Sequence, residues 1–403
     1  MHHNAHTQKE AVRMPNQPKL FTPGPVDVFD ETLAALGRPV PYMMHPEWLA
    51  LQSETSQMLK QVFQTENSVF MATSPGSGAI ETGIASLFQA GDRVVAIRNG
   101  MFAERLIQIL NAYCCEVIAV EGPWGQAIDL DKVADTLRLH PDIDGIAVVG
   151  NETGTGVCNP VRELAQMAHE RDAPIFVDAV SGMGGYDIPM DSWELDVVAT
   201  SSNKALEMAP GLGIISANAR AWEIVERKTP TAHRGWYYNL HTWREALERP
   251  AFPFPTTPAT ASIAGLHASL KRILEVETLE GHWARYAWAQ RVVRTGLAAI
   301  GFEPLTPDAV ASPTVSTICK RADMENIEEL RDYLRDEHNS LISTSGGPLM
   351  GQVARISHMG KAGTQEYVVP LLLAVEEFVR VKKGVAVPLG ASLVGLESED
   401  RWY

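Results

Sequence analysis

The chain has 403 residues and a mass of 44.1 kDa, more than one hydrophobic core usually supports, so we expect a large domain and a smaller one. Its 34 Lys and Arg residues against 49 Asp and Glu residues give a formal net charge of −15, which would repel nucleic acid phosphates and anionic membrane surfaces. Neither nucleic acid nor a membrane is therefore expected as a partner.

The N-terminal residues 1–20 are predicted to form a disordered arm, because they are polar and contain no apolar segment of the kind that directs secretion. No run of about 20 apolar residues occurs along the chain, so no membrane-spanning helix is predicted. The four cysteines form no CxxC pair and no Cys/His cluster, which argues against a metal site and favours a reducing, cytoplasmic setting.

From about residue 50 to residue 260, short apolar runs alternate with amphipathic segments. This alternation predicts an α/β domain with a mostly parallel sheet between two layers of helices. The predicted strands are 93–97, 116–120, 145–149, 174–178, 196–200 and 213–216, and the clearest helices are 102–113, 130–139 and 161–171.

A proline-rich break at 250–258 ends this region, and a long helical stretch at about 259–299 follows it. After that, strands at 314–319 and 353–356 mix with helices at 325–336 and 364–382, which is typical of an α+β domain. We therefore predict a large domain over 21–260, a small domain over 261–385 and a tail over 386–403.

Two charged residues lie at or just after the carboxyl ends of two predicted strands. Asp178 ends the strand at 174–178, and Lys204 comes shortly after the strand at 196–200. Because ligands bind beyond the carboxyl ends of parallel strands, both side chains are expected at one crevice. Pyridoxal 5′-phosphate requires such a pair: an amine that forms an imine, and a carboxylate that keeps the pyridine nitrogen protonated. Either residue alone would be weak evidence.

A glycine-rich turn, Ser74-Pro75-Gly76-Ser77-Gly78, precedes a helical run. Small residues allow the backbone to approach a phosphate, and the N-terminus of a helix offers free N–H groups. The turn comes before Asp178 and Lys204 in the chain, which supports its assignment to the phosphate of the same cofactor.

With these motifs, the chain resembles the class V, fold-type I aminotransferases that depend on pyridoxal phosphate. This group includes the alanine–glyoxylate, serine–glyoxylate, ureidoglycine–glyoxylate, aminoethylphosphonate–pyruvate and pyridoxamine–pyruvate aminotransferases. The resemblance runs from about Phe21 to about Val379. It rests on Thr22-Pro23-Gly24-Pro25-Val26, Gly76-Ser77 with Glu81, Gly91-Asp92-Arg93-Val94, Glu152-Thr153-Gly154-Thr155-Gly156, Val177-Asp178-Ala179-Val180 with Gly184-Gly185, Asn203-Lys204-Ala205-Leu206, Pro210-Gly211 and Arg355-Ile356-Ser357-His358-Met359-Gly360.

The resemblance implies roles for the residues around the cofactor ring. Lys204 would form the Schiff base, and Asp178 would pair with the pyridinium nitrogen. Val180 would pack on one face of the ring and Phe102 on the other, where relatives often have Trp or Tyr. Thr153 would lie near the 3-oxygen of the ring.

The resemblance also implies residues that bind the phosphate and the substrate. Gly76, Ser77 and Asn203 would bind the phosphate, together with Thr257 from the neighbouring subunit. The active unit would therefore be a homodimer with shared active sites. Arg355 would bind a substrate carboxylate through two parallel hydrogen bonds, which suit a guanidinium group.

The chain departs from many relatives at two positions. Phe254 stands where relatives often carry a phosphate-binding Tyr, and Tyr42-Met43-Met44 replaces a common Gly-His-Arg segment at the substrate. Tyr42 is therefore expected to border the substrate. Tyr42 and Phe254 together resemble the pyridoxamine–pyruvate member, whereas Pro75 stands where that member is expected to have an acidic residue.

We therefore expect an aminotransferase that moves an amino group from a small amino acid or amine, such as alanine or serine, to glyoxylate or pyruvate. A pyridoxamine–pyruvate aminotransferase is the first alternative. A lyase or desulfurase on the same fold is the second, although Cys319 lies in a predicted strand and not on a mobile loop. A non-catalytic protein that binds pyridoxal phosphate is the third, and the joint presence of Lys204, Asp178 and Arg355 argues against it.

Overall fold

The computed structural model describes residues 17–228, 235–249 and 252–397. Most of the arm predicted at 1–20, the end of the tail predicted at 386–403 and Pro250 of the proline-rich break lie outside the described residues. Within the described ranges, a large sheet lies between two layers of helices, and a smaller sheet follows in the C-terminal part. This confirms the predicted α/β architecture with its C-terminal α+β part.

The large sheet has the strand order β2-β10-β9-β8-β5-β3-β4 and is parallel except for β10, which runs antiparallel to both its neighbours. The strands in chain order are β1 (Lys19–Leu20), β2 (Val69–Thr73), β3 (Arg93–Arg98), β4 (Glu116–Glu121), β5 (Gly145–Val149), β6 (Asn151–Glu152), β7 (Val157–Cys158), β8 (Ile175–Asp178), β9 (Val197–Ser201), β10 (Leu212–Ala217), β11 (Val315–Cys319), β12 (Ser340–Leu341), β13 (Ser343–Thr344) and β14 (Val353–Ser357).

Helices cover both faces of this sheet and pack against the smaller one. They are α1 (Asp30–Leu36), α2 (Pro46–Phe63), α3 (Gly76–Leu87), α4 (Met101–Ala112), α5 (Leu130–Leu139), α6 (Val161–His169), α7 (Ala219–Lys228), α8 (Leu240–Leu247), α9 (Thr260–Lys271), α10 (Leu279–Ala299), α11 (Glu328–His338) and α12 (Gln365–Glu377). A π-helical segment, Arg272–Glu277, connects α9 with α10. None of the helices in the described ranges combines the length and apolar character needed to cross a membrane.

The strands of the large sheet bury both faces, which explains their continuous apolar sequences. In β3, Val95 and Ile97 point into one core, and Val94 and Ala96 point into the other. Helices α2, α5, α6 and α9 close the first core, whereas α3, α4, α7 and α8 close the second. The central strands are thereby held from two sides, and the edge where they end is a rigid base for a site.

The smaller sheet is antiparallel with the order β11-β14-β13, and it packs on α10, α11 and α12. The N-terminal segment joins this part of the molecule, because β1 pairs with β12 and Phe21 lies in the same core. The predicted domain boundary at residue 260 stays a prediction. Ile263 and Leu266 of α9, just beyond it, pack into the first core of the large sheet.

The six predicted strands of the large domain agree with β3, β4, β5, β8, β9 and β10 to within one residue at either end. Strand β2 is not among the predicted strands. Its sequence contains Phe70 and Met71, which suit a buried helix as well as a buried strand.

Candidate functional site

A cavity of about 530 Å³ opens at the edge of the large sheet where β8 and β9 end. In the register of these strands Asp178 lies opposite Ala199, so their carboxyl ends meet at the same edge. The cavity brings together eight of the site residues predicted from sequence, namely Gly76, Ser77, Phe102, Thr153, Asp178, Val180, Asn203 and Lys204.

Asp178 is the last residue of β8 and is buried. Its carboxylate accepts a hydrogen bond of 2.9 Å from the backbone N–H of Val180. Burial raises the pKa of Asp178 to about 6, because the charged form loses its hydration, and the bond from Val180 and the charge of Lys204 oppose this shift. A protonated ring nitrogen beside Asp178 would stabilise the carboxylate charge that burial disfavours.

Lys204 lies in the turn that follows β9, and its Nζ donates a hydrogen bond to the backbone carbonyl of Pro23. The neighbouring Gly24 has a φ of +121°, and a Cβ at this position would collide with the Lys204 side chain. Burial lowers the pKa of Lys204 to about 8, and the positive charge of Arg355 adds to this shift. At neutral pH a fraction of these amines is therefore uncharged, as a nucleophile requires.

The glycine-rich turn leads from β2 into α3, which begins at Gly76. The first N–H groups of a helix have no partner inside the helix and attract an anion. A Cβ on Gly76 would lie 3.0 Å from Val180 Cγ2 and 3.3 Å from Ser201 Oγ, so any side chain would fill this space. The Ser201 hydroxyl is buried, lines the cavity and has no hydrogen-bond partner among the described residues. The turn and this hydroxyl fit a phosphate, and Ser201 is missing from the predicted ligands.

The Glu152 carboxylate holds Phe102 at the cavity. In the sequence analysis Glu152 appears only as part of a family motif. Glu152 is fully buried and accepts hydrogen bonds from the backbone N–H groups of Phe102, Ala103 and Gly154 at 3.0, 2.9 and 2.8 Å. It thereby caps the N-terminus of α4, a favourable place for negative charge. Burial nevertheless raises the pKa of Glu152 to about 7. The start of α4, which carries Phe102, is fixed by this carboxyl group.

A chain of buried hydroxyl and amide groups supports Thr153. The Oγ1 atom of Thr153 lies 2.5 Å from Ser181 Oγ, and Ser181 Oγ donates to the backbone carbonyl of Asn151 at 3.0 Å. The side-chain amide of Asn151 in turn donates to Ser181 Oγ at 2.8 Å. Asn151 and Ser181 both line the cavity, although the sequence does not single them out.

Arg355 lies in β14, the central strand of the smaller sheet, and is buried. Its guanidinium group donates to the carbonyl of Thr344 at 2.8 Å and reaches the carbonyl of Thr153 at 3.5 Å. Arg355 does not itself line the cavity, but Thr153 does. Its guanidinium group therefore lies beside Thr153, a residue of the cavity wall, and its positive charge helps to lower the pKa of Lys204.

Besides Arg355, two predicted site residues, Tyr42 and Thr257, do not line this cavity. The Tyr42 side chain is 65% exposed, and its hydroxyl contacts Met44 Sδ at 3.5 Å. Thr257 is also exposed. The role of Thr257 concerns the cavity of a neighbouring subunit, so it stays a prediction, and the substrate contact of Tyr42 stays one as well.

Arg105 lines the cavity and is missing from the predicted site residues. It follows Phe102 by three positions on α4, and its guanidinium carbon lies 4.9 Å from the centre of the Phe102 ring. The helical spacing that puts residues i and i+3 on one face is the signal that would have found it.

Known proteins match this chain over most of its length. The class V aminotransferase model matches residues 39–366. An uncharacterized aminotransferase of Methanocaldococcus jannaschii is 32% identical over 87% of this chain and 90% of its own length. The pyridoxamine–pyruvate transaminase of Mesorhizobium japonicum is 30% identical over 88% of this chain and 90% of its own length. The crystal structure of an alanine–glyoxylate aminotransferase from Nostoc sp. matches 93% of this chain and 98% of its own, with a TM-score of 0.87 and 27% identity.

Proposed function

This chain belongs to the class V aminotransferases, and on that premise we propose that it transfers an amino group from a small amino acid to glyoxylate or pyruvate. It is an enzyme that uses pyridoxal 5′-phosphate, as the family does. One observation carries the proposal: Lys204 and Asp178 line the same cavity, and the Arg355 guanidinium group contacts Thr153, which also lines it.

The residues of the cavity fit the cofactor. Gly76, Ser77 and the Ser201 hydroxyl would hold the phosphate, Phe102 and Val180 would bound the ring, and Asp178 would hold the proton of the ring nitrogen. When bound, pyridoxal phosphate accepts the amino group and withdraws electrons from the α-carbon of the substrate. The hydroxyls of Thr153 and Ser181 form a polar wall beside Asp178.

Lys204 has the properties of the group that moves protons in this reaction. A pKa of about 8 allows its amine to accept a proton from the α-carbon and to release it again near neutral pH. The carbonyl of Pro23 offers a hydrogen-bond acceptor for the amine when it is free. Gly24 leaves the space through which the long Lys204 side chain reaches this acceptor.

Arg355 would bind the carboxylate of the substrate. Its guanidinium is anchored on the carbonyl of Thr344, and burial lowers its pKa, so a bound anion would stabilise its charge. The acceptors in the proposal, glyoxylate and pyruvate, are those in the names of the Nostoc and Mesorhizobium relatives. Both are small enough to place their carboxylate close to their reacting carbon.

The surroundings of Cys319 argue against desulfurase activity, which requires a reactive cysteine. Cys319 ends β11, does not line the cavity, and burial raises the pKa of its thiol. A thiol with a raised pKa is a poor nucleophile. The likeness to solved desulfurase structures, at 15% identity and a TM-score of 0.70, reflects the fold alone.

A homodimer with shared sites is also part of the proposal. Thr257 is exposed, and the segment before α2 carries exposed apolar side chains, with Val40 at 78% and Tyr42 at 65%. The two regions are neighbours, because the ring of Trp48 in α2 contacts that of Phe254. Exposed apolar groups of this kind are typical of a surface that another chain covers. Sedimentation should show a species of twice the chain mass, and a monomer under working conditions would refute this part.

The test of the function is a screen of amine donors on the purified holoenzyme. Each donor is added without an acceptor, and conversion of bound pyridoxal phosphate to pyridoxamine phosphate is followed by absorbance. We expect conversion by alanine or serine and regeneration by glyoxylate or pyruvate. Conversion by pyridoxamine alone would favour the pyridoxamine–pyruvate reaction, and no conversion by any donor would overturn the proposal.

Arg355→Ala separates these donors. Removing one partner of a buried charge pair costs roughly 2–5 kcal/mol, or about 30-fold to 4000-fold, for each substrate that carries a carboxylate. For an amino-acid donor both half-reactions should weaken, and for pyridoxamine only the half-reaction of the oxo acid. Arg335→Ala, at an exposed position of α11, is the control. An unchanged affinity for pyruvate and glyoxylate would show that Arg355 is not the carboxylate anchor.

A further inference from the structure

A buried cluster of charged residues lies behind the turn that carries Lys204. Glu207 belongs to this turn and is fully buried. Its carboxylate accepts hydrogen bonds of 2.6 Å from both Arg285 and the Tyr286 hydroxyl, and it also pairs with Arg272. Glu277 accepts further bonds from Arg272 at 2.5 Å and from Arg285 at 3.1 Å.

Helices α9 and α10 hold each of the three residues that follow Lys204. His282 lies 3.0 Å from the carbonyl of Ala205 through its Nε2 atom, and Ser269 Oγ donates to the carbonyl of Leu206 at 2.7 Å. The third residue, Glu207, is held through its side chain, and its backbone N–H donates to the carbonyl of Lys204 at 2.9 Å. The path of the chain directly after Lys204 is therefore set by side chains from other elements.

Glu207 also has a backbone conformation that is unfavourable for a residue other than glycine. Its φ is +53°, in the left-handed region that residues other than glycine rarely occupy. Such strain persists where the surroundings over-determine the conformation, and it concentrates at functional sites. Here the surroundings are the two guanidinium groups and the Tyr286 hydroxyl around the Glu207 carboxylate.

The charges in the cluster compensate one another. Burial disfavours the charged form of Glu207, but the positive charges of Arg285 and Arg272 outweigh this and hold the pKa of Glu207 well below its usual range. Buried ion pairs add little net stability compared with apolar packing, because desolvation offsets much of their attraction. Hydrogen bonds between guanidinium and carboxylate groups also fix the relative geometry of the two groups. The cluster is therefore better explained by the position it imposes than by the stability it adds.

The same cluster reaches the loop after Arg355. Arg285 donates to the carbonyl of Gly360 at 3.1 Å, and the backbone N–H of Gly360 donates to the Tyr286 hydroxyl at 3.3 Å. Gly360 follows β14, which carries Arg355. One pair of side chains thus contacts both the Glu207 carboxylate and the end of the strand that holds the proposed carboxylate anchor.

We propose that Glu207 is a positioning residue. Through this buried cluster it fixes the turn, and the turn keeps the Lys204 amine aligned with the reacting carbon of the substrate. The inference rests on the proposed role of Lys204 and adds the element that sets its place. Glu207 does not line the cavity, so it acts only through the turn.

The experiment compares Glu207→Gln with Glu31→Gln in the full-length protein. Glu31 contacts the same Arg272 at 3.4 Å, but its side chain is 47% exposed and far less constrained. We measure two quantities: the rate at which added pyridoxal phosphate attaches to Lys204 of the apoprotein, trapped with borohydride and located by peptide mass, and the kcat and KM of transamination. Circular dichroism confirms that each variant is folded.

We expect Glu207→Gln to slow attachment and to lower kcat by about tenfold or more, since small displacements of a reacting group cost on the order of that factor or above. KM for the oxo acid should change little, because Arg355 keeps its bonds to Thr344. Glu31→Gln should behave as the wild type does. A general loss of structure would instead change kcat, KM and the folded fraction together.

Attachment and kcat within about twofold of the Glu31→Gln control would overturn the proposal, since displacement of a reacting group should cost more than that. If Glu207→Gln does not fold, Tyr286→Phe decides, because it keeps the ring and removes only the hydroxyl that bonds Glu207 and Gly360. That variant should show the same selective loss in attachment and kcat, and wild-type values would refute the idea. Failure of the wild type to attach the cofactor at Lys204 would instead refute the proposed function.

Discussion

The lowered pKa of Lys204 leads to a measurable dependence of its reactivity on pH. Burial and the charge of Arg355 bring this pKa from its ordinary value of 10.5 to about 8. The difference corresponds to roughly 3 kcal/mol against the charged form. At pH 7 about one amine in ten would be neutral, whereas about one in 3000 would be neutral at the ordinary value.

Only the neutral amine attacks an aldehyde, so the rate of cofactor attachment to the apoprotein should follow this fraction. Below pH 8 the rate should rise about tenfold for each pH unit, and above pH 8 it should level off as deprotonation becomes complete. Absorbance of the attached cofactor measures the rate between pH 6 and pH 10.

Two controls make this measurement specific. Free acetyl-lysine, measured in parallel, corrects for the ionisation of pyridoxal phosphate itself. The Lys204→Ala variant gives the background rate of attachment to other lysines. A rate that keeps rising through pH 10 would show that Lys204 has an ordinary pKa. The explanation by burial and by Arg355 would then be wrong.

Two substitutions test other parts of the site. Asp178→Asn should keep cofactor binding but lower kcat about a hundredfold or more, because an amide cannot hold the proton of the ring nitrogen by charge; near-normal turnover in a steady-state assay would mean that another acid does so. Gly24→Ala should slow cofactor attachment, since the added Cβ collides with the Lys204 side chain. Gly91→Ala is the matched control, because Gly91 also has a positive φ, of +85°, with nothing within 4 Å of the added Cβ; equal attachment rates in the two variants would show that the collision does not matter.

The sequence predicts the part of the site that strand ends bring together. Asp178 and Lys204 follow apolar runs that are recognisable as buried parallel strands, and the topology of such sheets implies that they meet. The direction of β10 also has a local cause. The connection from Ser201 to Leu212 is shorter than the dozen or more residues that a parallel crossover needs, so β10 must run antiparallel.

Other contacts have no local signal. Glu207 meets its partners Arg272, Arg285 and Tyr286 across separations of 65, 78 and 79 residues, and each is an ordinary charged or polar residue on a helix. Glu152 likewise acts on α4, whose position depends on packing against the sheet. Such pairs depend on how finished elements pack together, which the hydrophobic pattern of single segments does not encode.

The charges of the cavity explain how a protein with a net charge of −15 can bind anions. Most of that charge lies on the surface, where salt screens it beyond about 8 Å. Arg105 lines the cavity, and its positive charge acts on the Asp178 carboxylate. Together with Lys204, Arg355 and the N-terminus of α3, it presents positive charge at short range. Asp178 and Glu152 are the buried acidic groups near these positive charges, and burial raises the pKa of each. A phosphate and a carboxylate therefore meet local donors that outweigh the distant, screened charge of the surface.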